Sequence, residues 1–249
     1  MPPVPRIVLV VPCFNEEHRF DGAAFQQHRA TNPEVEFLFV NDGSGDGTLQ
    51  SLERLVASDP VGFHLLDLVE NFGKAEAVRR GILAAIERHP EVVGFWDADL
   101  ATPLAELASF LDVLRKRPAI EMVFAARVRL LGREISRRPS RHYFGRIGAT
   151  LISSTLGLAV YDTQCGAKLF RLTQWVPTIF ATPFLSRWIF DVEIIARLVQ
   201  LVGRDAAARA IYELPVMQWH DVAGSKVKSR DFARALRDLY RIHRAYRPK

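Results

Sequence analysis

Two carboxylates, Asp97 and Asp99, stand two residues apart at the end of an apolar segment, Val92–Trp96. The apolar segment predicts a buried strand, and Pro103 suits the first turn of a helix that follows. Carboxylates this close repel one another unless a positive charge neutralises them. Mg²⁺ or Mn²⁺, held by one or two carboxylates together with substrate phosphates, is a common solution. Taken alone, the motif is more often a solvated Asp-x-Asp turn, so the neighbouring elements have to decide.

Other polar clusters follow predicted strands in the same way. Apolar runs predict strands at Arg6–Pro12, Val35–Val40, Phe63–Val69, Val92–Trp96 and Ile120–Ala125, and helical patterns lie between them. This alternation predicts an α/β fold with a mostly parallel, doubly wound sheet. In such sheets ligands bind outside the carboxyl ends of the strands. Those ends carry Cys13–Glu16, Asn41–Thr48, Glu70–Lys74, Asp97–Asp99 and Arg127. The coincidence favours a ligand site over a solvated turn.

The composition limits the class of protein. The 249 residues are 49% hydrophobic, which is enough for one large domain or two small ones. Two cysteines give no disulfide framework, so we expect a reducing, cytoplasmic environment. No window reaches the roughly 20 apolar residues that a spanning helix needs, so no transmembrane segment is predicted. The first strand is not followed by a Walker lysine motif or by G-x-G-x-x-G, so NTPase-type and dehydrogenase-type phosphate loops are not supported.

Basic residues are concentrated in two segments. Residues 127–146 hold seven arginines against one glutamate, and residues 226–249 hold nine lysines and arginines against two aspartates. Such segments can be solvated faces, nucleic-acid patches, or sites for phosphates and anionic lipid. No nucleic-acid-binding module is recognisable, so we expect no nucleic-acid partner. The last predicted helix, Asp231–Tyr246, has an arginine stripe opposite an apolar stripe of Phe232, Leu236, Leu239 and Tyr240. It either lies on an anionic membrane or docks on its own domain with a solvated basic face.

Several motifs carry a resemblance to a known family. The segments VVPCFNEE, VNDGSGDGT, NFGKAEAVRRGI and DADLATP resemble the inverting A-type glycosyltransferases of the large nucleotide-sugar family, family 2. The later segments DTQCGAKLFR, RWIFDVEII and VAGSKV narrow the resemblance to dolichyl-phosphate β-glucosyltransferases and their bacterial polyprenyl-phosphate relatives. The resemblance implies an A-type glycosyltransferase fold in a single domain over residues 1–249. Residues 5–126 would form the nucleotide-binding half, 127–228 the acceptor half and 229–249 a basic amphipathic helix.

The resemblance also implies roles for residues of the donor site. Those aligned with the nucleotide pocket are Pro12, Phe14, Glu16, Val40, Asp42, Asn71, Gly73 and Lys74. Phe14 replaces a tyrosine often found there, which leaves stacking without a hydroxyl. Asp42 would accept a hydrogen bond from uracil or, alternatively, only cap its turn. Lys74 could equally be a solvated lysine at a helix start. Asp97, Ala98 and Asp99 match the metal and ribose segment.

The acceptor half supplies the remaining candidates. Arg127 and Arg141 match arginines that hold the lipid phosphate in the related enzymes, and the planar guanidinium suits phosphate oxygens. Gln164 and Arg187 lie in segments on the substrate side. Asp191 occupies the place of a general base, although an ionised phosphate needs little deprotonation, so Asp191 could orient a substrate instead. Lys226 lies in a Gly/Ser loop expected to close over the diphosphate.

Together these features predict metal-dependent, inverting transfer of a sugar from a UDP-sugar, most simply UDP-glucose, to a polyprenyl phosphate. GDP-mannose or another nucleotide-sugar as donor, or a soluble acceptor, is the alternative. The cofactor would be Mg²⁺ or Mn²⁺. The predicted partners are the donor, the lipid phosphate and an anionic membrane surface. We therefore expect peripheral attachment to the cytoplasmic face of the membrane.

Overall fold

The computed structural model describes the backbone of residues 6–136, 139–220 and 229–246, and the side chains of residues 6–136, 148–220 and 234–246. The strands within these ranges are β1 (Ile7–Cys13), β2 (Val35–Asn41), β3 (Phe63–Asp67), β4 (Val92–Trp96), β5 (Met122–Ala126), β6 (Glu134–Ser136), β7 (Ala167–Arg171), β8 (Ile211–Pro215) and β9 (Gln218–His220). The helices are α1 (Gly22–Thr31), α2 (Thr48–Ser58), α3 (Lys74–Ile86), α4 (Leu107–Lys116), α5 (Pro139–Leu156), α6 (Trp175–Phe180), α7 (Phe190–Val202), α8 (Arg204–Ala210) and α9 (Ser229–Ala245).

A seven-stranded sheet with the order β3-β2-β1-β4-β7-β5-β8 forms the centre of the fold. All its pairs are parallel except those of β7, which runs antiparallel to both β4 and β5. The predicted mostly parallel α/β sheet is confirmed. The strand order changes direction between β1 and β4, which creates the crevice where such sheets bind ligands.

Two apolar cores cover the two faces of the sheet. Alternate residues of β1 enter different cores: Val8 and Val10 pack on the side of α3 and α7, whereas Ile7, Leu9 and Val11 pack on the side of α1, α2 and α4. Both sets are fully buried. This double burial explains why the strands appear in the sequence as continuous apolar runs instead of alternating ones.

The later part of the chain departs from its sequence pattern in three places. The apolar run Ile211–Trp219 predicts one strand, but the structure has two, because β8 extends the large sheet and β9 pairs in parallel with β6. The basic segment 127–138 has no clear periodicity and predicts a loop, but it contains the short strand β6. The helical pattern from Leu104 predicts an α-helix, but a 3₁₀ turn, Leu104–Glu106, precedes α4.

Helix α9 docks on its own domain, which is one of the two arrangements left open by the sequence. Leu239 and Ile242 are buried in the core shared with α7. The predicted apolar stripe is wrong at Leu236 and Tyr240, which are 41% and 62% exposed. The face of α9 that packs on the domain contains Leu239 and Ile242 but not Leu236 or Tyr240. Among the described residues, no helix is long and apolar enough to cross a bilayer.

Glu36 is a charged residue in the otherwise apolar strand β2, and it is only 8% exposed. Three basic side chains reach it: Arg6 at 2.6 Å, Arg88 at 2.9 Å and His64 at 2.9 Å. Burial alone would raise the pKa of Glu36, but the hydrogen bonds from these partners outweigh burial and lower the pKa to about 2. The ionised form of Glu36 therefore stabilises the fold.

We expect this contribution to be fully present above pH 4.5 and to disappear as the pH falls towards 2. A group whose pKa is lower in the folded state than in the unfolded state stabilises the fold only at pH values where it is ionised. Glu36→Gln should reduce the free energy of unfolding by about 2–3 kcal/mol at pH 7. Urea unfolding from pH 7 to pH 3 measures the difference, which should shrink with acidification. Glu53→Gln, at an exposed position of α2, is the control. An equal loss at both pH values would contradict this assignment.

Candidate functional site

The carboxylate pair lies directly after β4, at the crevice next to β1. The Asp97 N–H donates to the Gly166 carbonyl at 2.9 Å, and the Asp97 carbonyl accepts from Leu100 N–H at 3.2 Å. The Asp99 carboxylate accepts from Ala101 N–H at 3.1 Å. Leu100 has φ = 51°, a left-handed conformation that is uncommon for a residue other than glycine. The chain thus turns sharply after β4, with both carboxylates inside the turn.

Lys74, the first residue of α3, forms an ion pair with Asp97 at 2.5 Å. Its side chain is 40% exposed. Desolvation opposes the charged form, but the nearby carboxylates of Asp97, Asp191 and Asp99 together raise the pKa of Lys74. Lys74 is therefore not simply solvated at the helix start, since it faces the carboxylate pair.

The pair retains unbalanced negative charge. Burial raises the pKa of Asp99, and the charge of Asp97 raises it further, although Ala101 N–H, Lys74 and Arg19 act in the opposite direction. Within the described residues, no group of three or more histidine, cysteine or acidic side chains could hold a metal ion by itself. Two carboxylates with room for further oxygen ligands nevertheless fit a hard cation that completes its coordination with substrate phosphates and water.

Gly166 keeps the space beside Asp97 open. A Cβ atom on Gly166 would collide with both carboxylate oxygens of Asp97. The glycine therefore lets the turn before β7 approach the end of β4 without displacing the carboxylate. The ion pair with Lys74 and the space left by Gly166 thus determine where the Asp97 carboxylate lies.

Asp42, at the end of β2, organises the loop before α3. Its carboxylate accepts hydrogen bonds from Phe72 N–H and Gly73 N–H at 2.8 Å and from the Asn71 amide at 3.0 Å. Asp42 is 2% exposed, and burial raises its pKa despite these hydrogen bonds. The carboxylate thus binds the loop before α3, whereas the alternative role predicted for Asp42 is to cap its own turn after β2. Recognition of a base by Asp42 stays a prediction.

Arg187 holds the same loop from the opposite side. Its guanidinium donates to the Phe72 carbonyl at 2.8 Å and to the Asn71 side chain at 3.2 Å. Gly73 has φ = 91°, and a Cβ there would lie 2.6 Å from Arg187 Nε. Only glycine fits this conformation and this contact without strain. The loop is thus held between Asp42 and Arg187.

Asp191, in the first turn of α7, is 5% exposed and forms an ion pair with Lys168 at 2.5 Å. Burial raises the pKa of Asp191, while Lys168 and Lys74 oppose that rise. The charges of Lys74 and Asp97 are close enough to Asp191 to affect its pKa, Lys74 lowering it and Asp97 raising it. The position is suitable for a residue that contacts substrate.

Arg127 directly follows β5 and is engaged by Asp162. The two side chains form a bidentate pair, with distances of 2.6 and 2.7 Å, and the guanidinium lies 5.2 Å from the centre of the Trp219 ring. The Arg127 side chain is 12% exposed. Its predicted contact with a lipid phosphate would therefore have to share the guanidinium with Asp162.

Two of the predicted site residues present no side-chain surface to a ligand. Val40 is 0% exposed and Ala98 is 5% exposed, because both belong to the apolar cores. Any contact of these two residues with a ligand would therefore be made by the backbone, and their place in the site stays a prediction.

The remaining predicted residues lie at the carboxyl ends of the strands or outside the described region. Pro12, Phe14, Glu16 and Gln164 are half-buried. Glu16 forms an ion pair with Arg19 at 2.5 Å. The side chains of Arg141 and Lys226 lie outside the residues that the structure describes.

Sequence reasoning missed Lys168, Asp162 and Gly166 as parts of the site. Lys168 offered a signal, because a lysine inside the apolar strand AKLF must be paired if that strand is buried. Asp162 and Gly166 belong to the motif DTQCGAKLFR, but their partners, Arg127 and Asp97, are distant in the sequence, so the contacts themselves could not be predicted.

Comparison with known proteins identifies the family. The family model "Glycosyl transferase family 2" matches residues 8–173. A dolichyl-phosphate β-glucosyltransferase of Trichomonas vaginalis is 31% identical over 94% of this chain and 69% of its own length. A dodecaprenyl-phosphate galacturonate synthase of Rhizobium johnstonii is 28% identical over 66% of this chain and 47% of its own length. The chain therefore belongs to glycosyl transferase family 2 and is a glycosyltransferase.

The fold is shared with solved structures of A-type glycosyltransferases. Glucosyl-3-phosphoglycerate synthase from Mycobacterium tuberculosis, solved with Mn²⁺, UDP and phosphoglyceric acid, superimposes with a TM-score of 0.66 over 97% of this chain and 78% of that chain. The sequence identity is 17%, so the likeness confirms the A-type fold alone.

Proposed function

We propose that this glycosyltransferase transfers a sugar, most simply glucose, from a UDP-sugar to a polyprenyl-type lipid phosphate with inversion at the anomeric carbon. The observation that carries the proposal is the Asp97–Asp99 pair beside Lys74 at the crevice of the sheet. That arrangement suits a cation-bound diphosphate, which is the leaving group of a nucleotide-sugar.

The names of the relatives support the acceptor more strongly than the sugar. The Trichomonas and Rhizobium proteins differ in the sugar that their names state, but both names contain a polyisoprenoid phosphate. The relative that matches nearly the whole chain is a glucosyltransferase. We therefore favour glucose and keep the other sugars as alternatives to be tested.

The reaction needs little proton transfer from the protein. An ionised oxygen of the acceptor phosphate attacks the anomeric carbon, and the bond from that carbon to the diphosphate oxygen breaks with its electron pair leaving on UDP. A divalent cation held by Asp97 and Asp99 would supply positive charge to the departing diphosphate. Lys74 would add a second positive charge beside it.

Asp191 would orient a substrate in this scheme. An ionised phosphate nucleophile needs no general base, so the Asp191 carboxylate is better suited to accept a hydrogen bond from a sugar hydroxyl. Arg187 and Asp42 would fix the loop Asn71–Gly73 against the nucleoside. These side chains would position the donor before the acceptor phosphate attacks.

A donor panel tests this function. UDP-glucose, UDP-galactose, UDP-GlcNAc and GDP-mannose would each be incubated with polyprenyl phosphate and Mg²⁺, and the lipid product identified by its mass. We expect a hexosyl-phosphate lipid from UDP-glucose. Product from GDP-mannose alone would overturn the donor assignment, and absence of lipid product from every donor would overturn the lipid acceptor.

Asp99→Asn tests the proposed cation site. The amide is neutral, so we expect transfer to fall by at least about 100-fold while the thermal midpoint of unfolding stays close to that of the unchanged protein. Asp112→Asn, on the exposed face of α4, is the matched control and should retain full activity. Turnover near the unchanged level at saturating Mg²⁺ would exclude Asp99 as a ligand.

The lipid acceptor implies contact with a membrane surface. On α9, the side chains of Arg237 and Arg241 are 69% and 49% exposed. They lie near Leu236 and Tyr240, which are also exposed. Each basic residue close to an anionic surface contributes about 1 kcal/mol to binding. We propose that this exposed face of α9 attaches the enzyme to anionic lipid peripherally.

Vesicle sedimentation measures that attachment. We expect binding to anionic vesicles at low salt and release at 1 M salt, where the Debye length is about 3 Å. Arg237→Gln/Arg241→Gln should weaken binding, whereas Arg115→Gln/Lys116→Gln on α4 is the charge-matched control. Protein that stays in the supernatant with anionic vesicles at low salt would favour a soluble acceptor.

A further inference from the structure

Lys168 is a lysine without solvent exposure in the middle of the large sheet. It lies on β7, opposite Phe95 of β4 on one side and Phe124 of β5 on the other. Its side chain is 0% exposed, and its ammonium lies 5.1 and 5.2 Å from the centres of those two rings. The ammonium donates to the Cys165 carbonyl at 2.7 Å and pairs with Asp191 at 2.5 Å.

Stability alone does not explain a buried ion pair. Desolvation of the two charges offsets much of their attraction, and an apolar pair of similar volume is often at least as stable. Aromatic faces and one carbonyl satisfy only part of an ammonium that has three donors. The remaining partner is Asp191, to which the proposed function gives a contact with substrate.

Asp191 interacts electrostatically with charges of both signs. Its described charged neighbours are Lys168 on β7, Lys74 on α3 and Asp97 after β4. Lys74 in turn pairs with Asp97. Of the two lysines, Lys74 is partly exposed and lies next to the proposed diphosphate position, whereas Lys168 is fixed in the core. Only Lys168 can therefore hold Asp191 in one place while substrates enter and leave.

We propose that Lys168 is a positioning residue that acts on transfer through Asp191. It holds the Asp191 carboxylate in a single orientation through their ion pair, and it does not itself touch substrate. The inference rests on the proposed function, because that function gives Asp191 its contact with a sugar hydroxyl.

Lys168→Met, Asp191→Asn and the double variant test the proposal. We expect Lys168→Met to lower kcat by about 10- to 100-fold with a smaller change in the KM of the donor, as found when a partner that orients a site residue is lost. The double variant should be no less active than Asp191→Asn within about twofold, because residues that act as a unit are not additive. Lys116→Met, at an exposed position of α4, is the control.

Urea unfolding separates positioning from folding. Lys168→Met leaves an unpaired buried carboxylate and should be destabilised, whereas the double variant lacks both charges and should recover stability. If the double variant is more stable than Lys168→Met but no more active than Asp191→Asn, the result supports a positioning role for Lys168. A folded Lys168→Met protein with unchanged kcat, or a double variant whose loss is the product of the two single losses, would overturn the proposal.

A carboxyl ¹³C titration followed by NMR gives a result that does not need transfer activity. The Asp191 signal is assigned by its absence in Asp191→Asn. In Lys168→Met the titration of this signal should move to higher pH, because the positive charge of Lys168 is lost. An unchanged titration would overturn the proposal. Absence of transfer in the unchanged protein together with a shifted titration would count against the proposed function alone.

Discussion

The repulsion between Asp97 and Asp99 is the constraint around which this site is arranged. The residues of β4 are buried in apolar surroundings, so water along the strand cannot screen the two negative charges at its end. Lys74 balances one of them, and burial together with Asp97 raises the pKa of the other. A site with two carboxylates and one lysine keeps a net negative charge, which favours a divalent cation more than a monovalent one.

Neighbouring residues fix the positions of the Asp97 and Asp99 carboxylates. Gly166 leaves room for the Asp97 carboxylate, and the left-handed Leu100 turns the chain so that Asp99 faces inward. Such strained or crowded positions persist only where neighbouring structure fixes them. Here β7 does so, because its antiparallel pairing with β4 ends at the residue before Asp97. The same strand carries Lys168, so one element positions both Asp97 and Asp191.

The first half of the fold could be predicted from the sequence because its signals are local. β1, β2, β4 and β5 are buried on both faces, which produces continuous apolar runs, and polar clusters follow these runs directly. β7 could not be placed in the sheet, since nothing in residues 167–171 shows that they insert between β4 and β5 in the opposite direction. The pair Lys168–Asp191 was hidden for the same reason. The burial of the Val40 and Ala98 side chains could not be predicted either, because a motif identifies positions and not the direction in which side chains point.

The family match ends at residue 173, but the donor side of the site depends on residues beyond it. Arg187 reaches back to the carbonyl of Phe72, and Ser186 beside it donates to Asp238 of α9 at 2.9 Å. The Ser186 hydroxyl also accepts from Ile189 N–H at 3.0 Å, immediately before α7 begins. The loop that precedes Lys74, the helix that carries Asp191 and the basic helix α9 therefore meet through one short segment. Side-chain contacts of Ser186 and Arg187 thus join these parts, in addition to the pairing of β7 with β4 that fixes the end of β4.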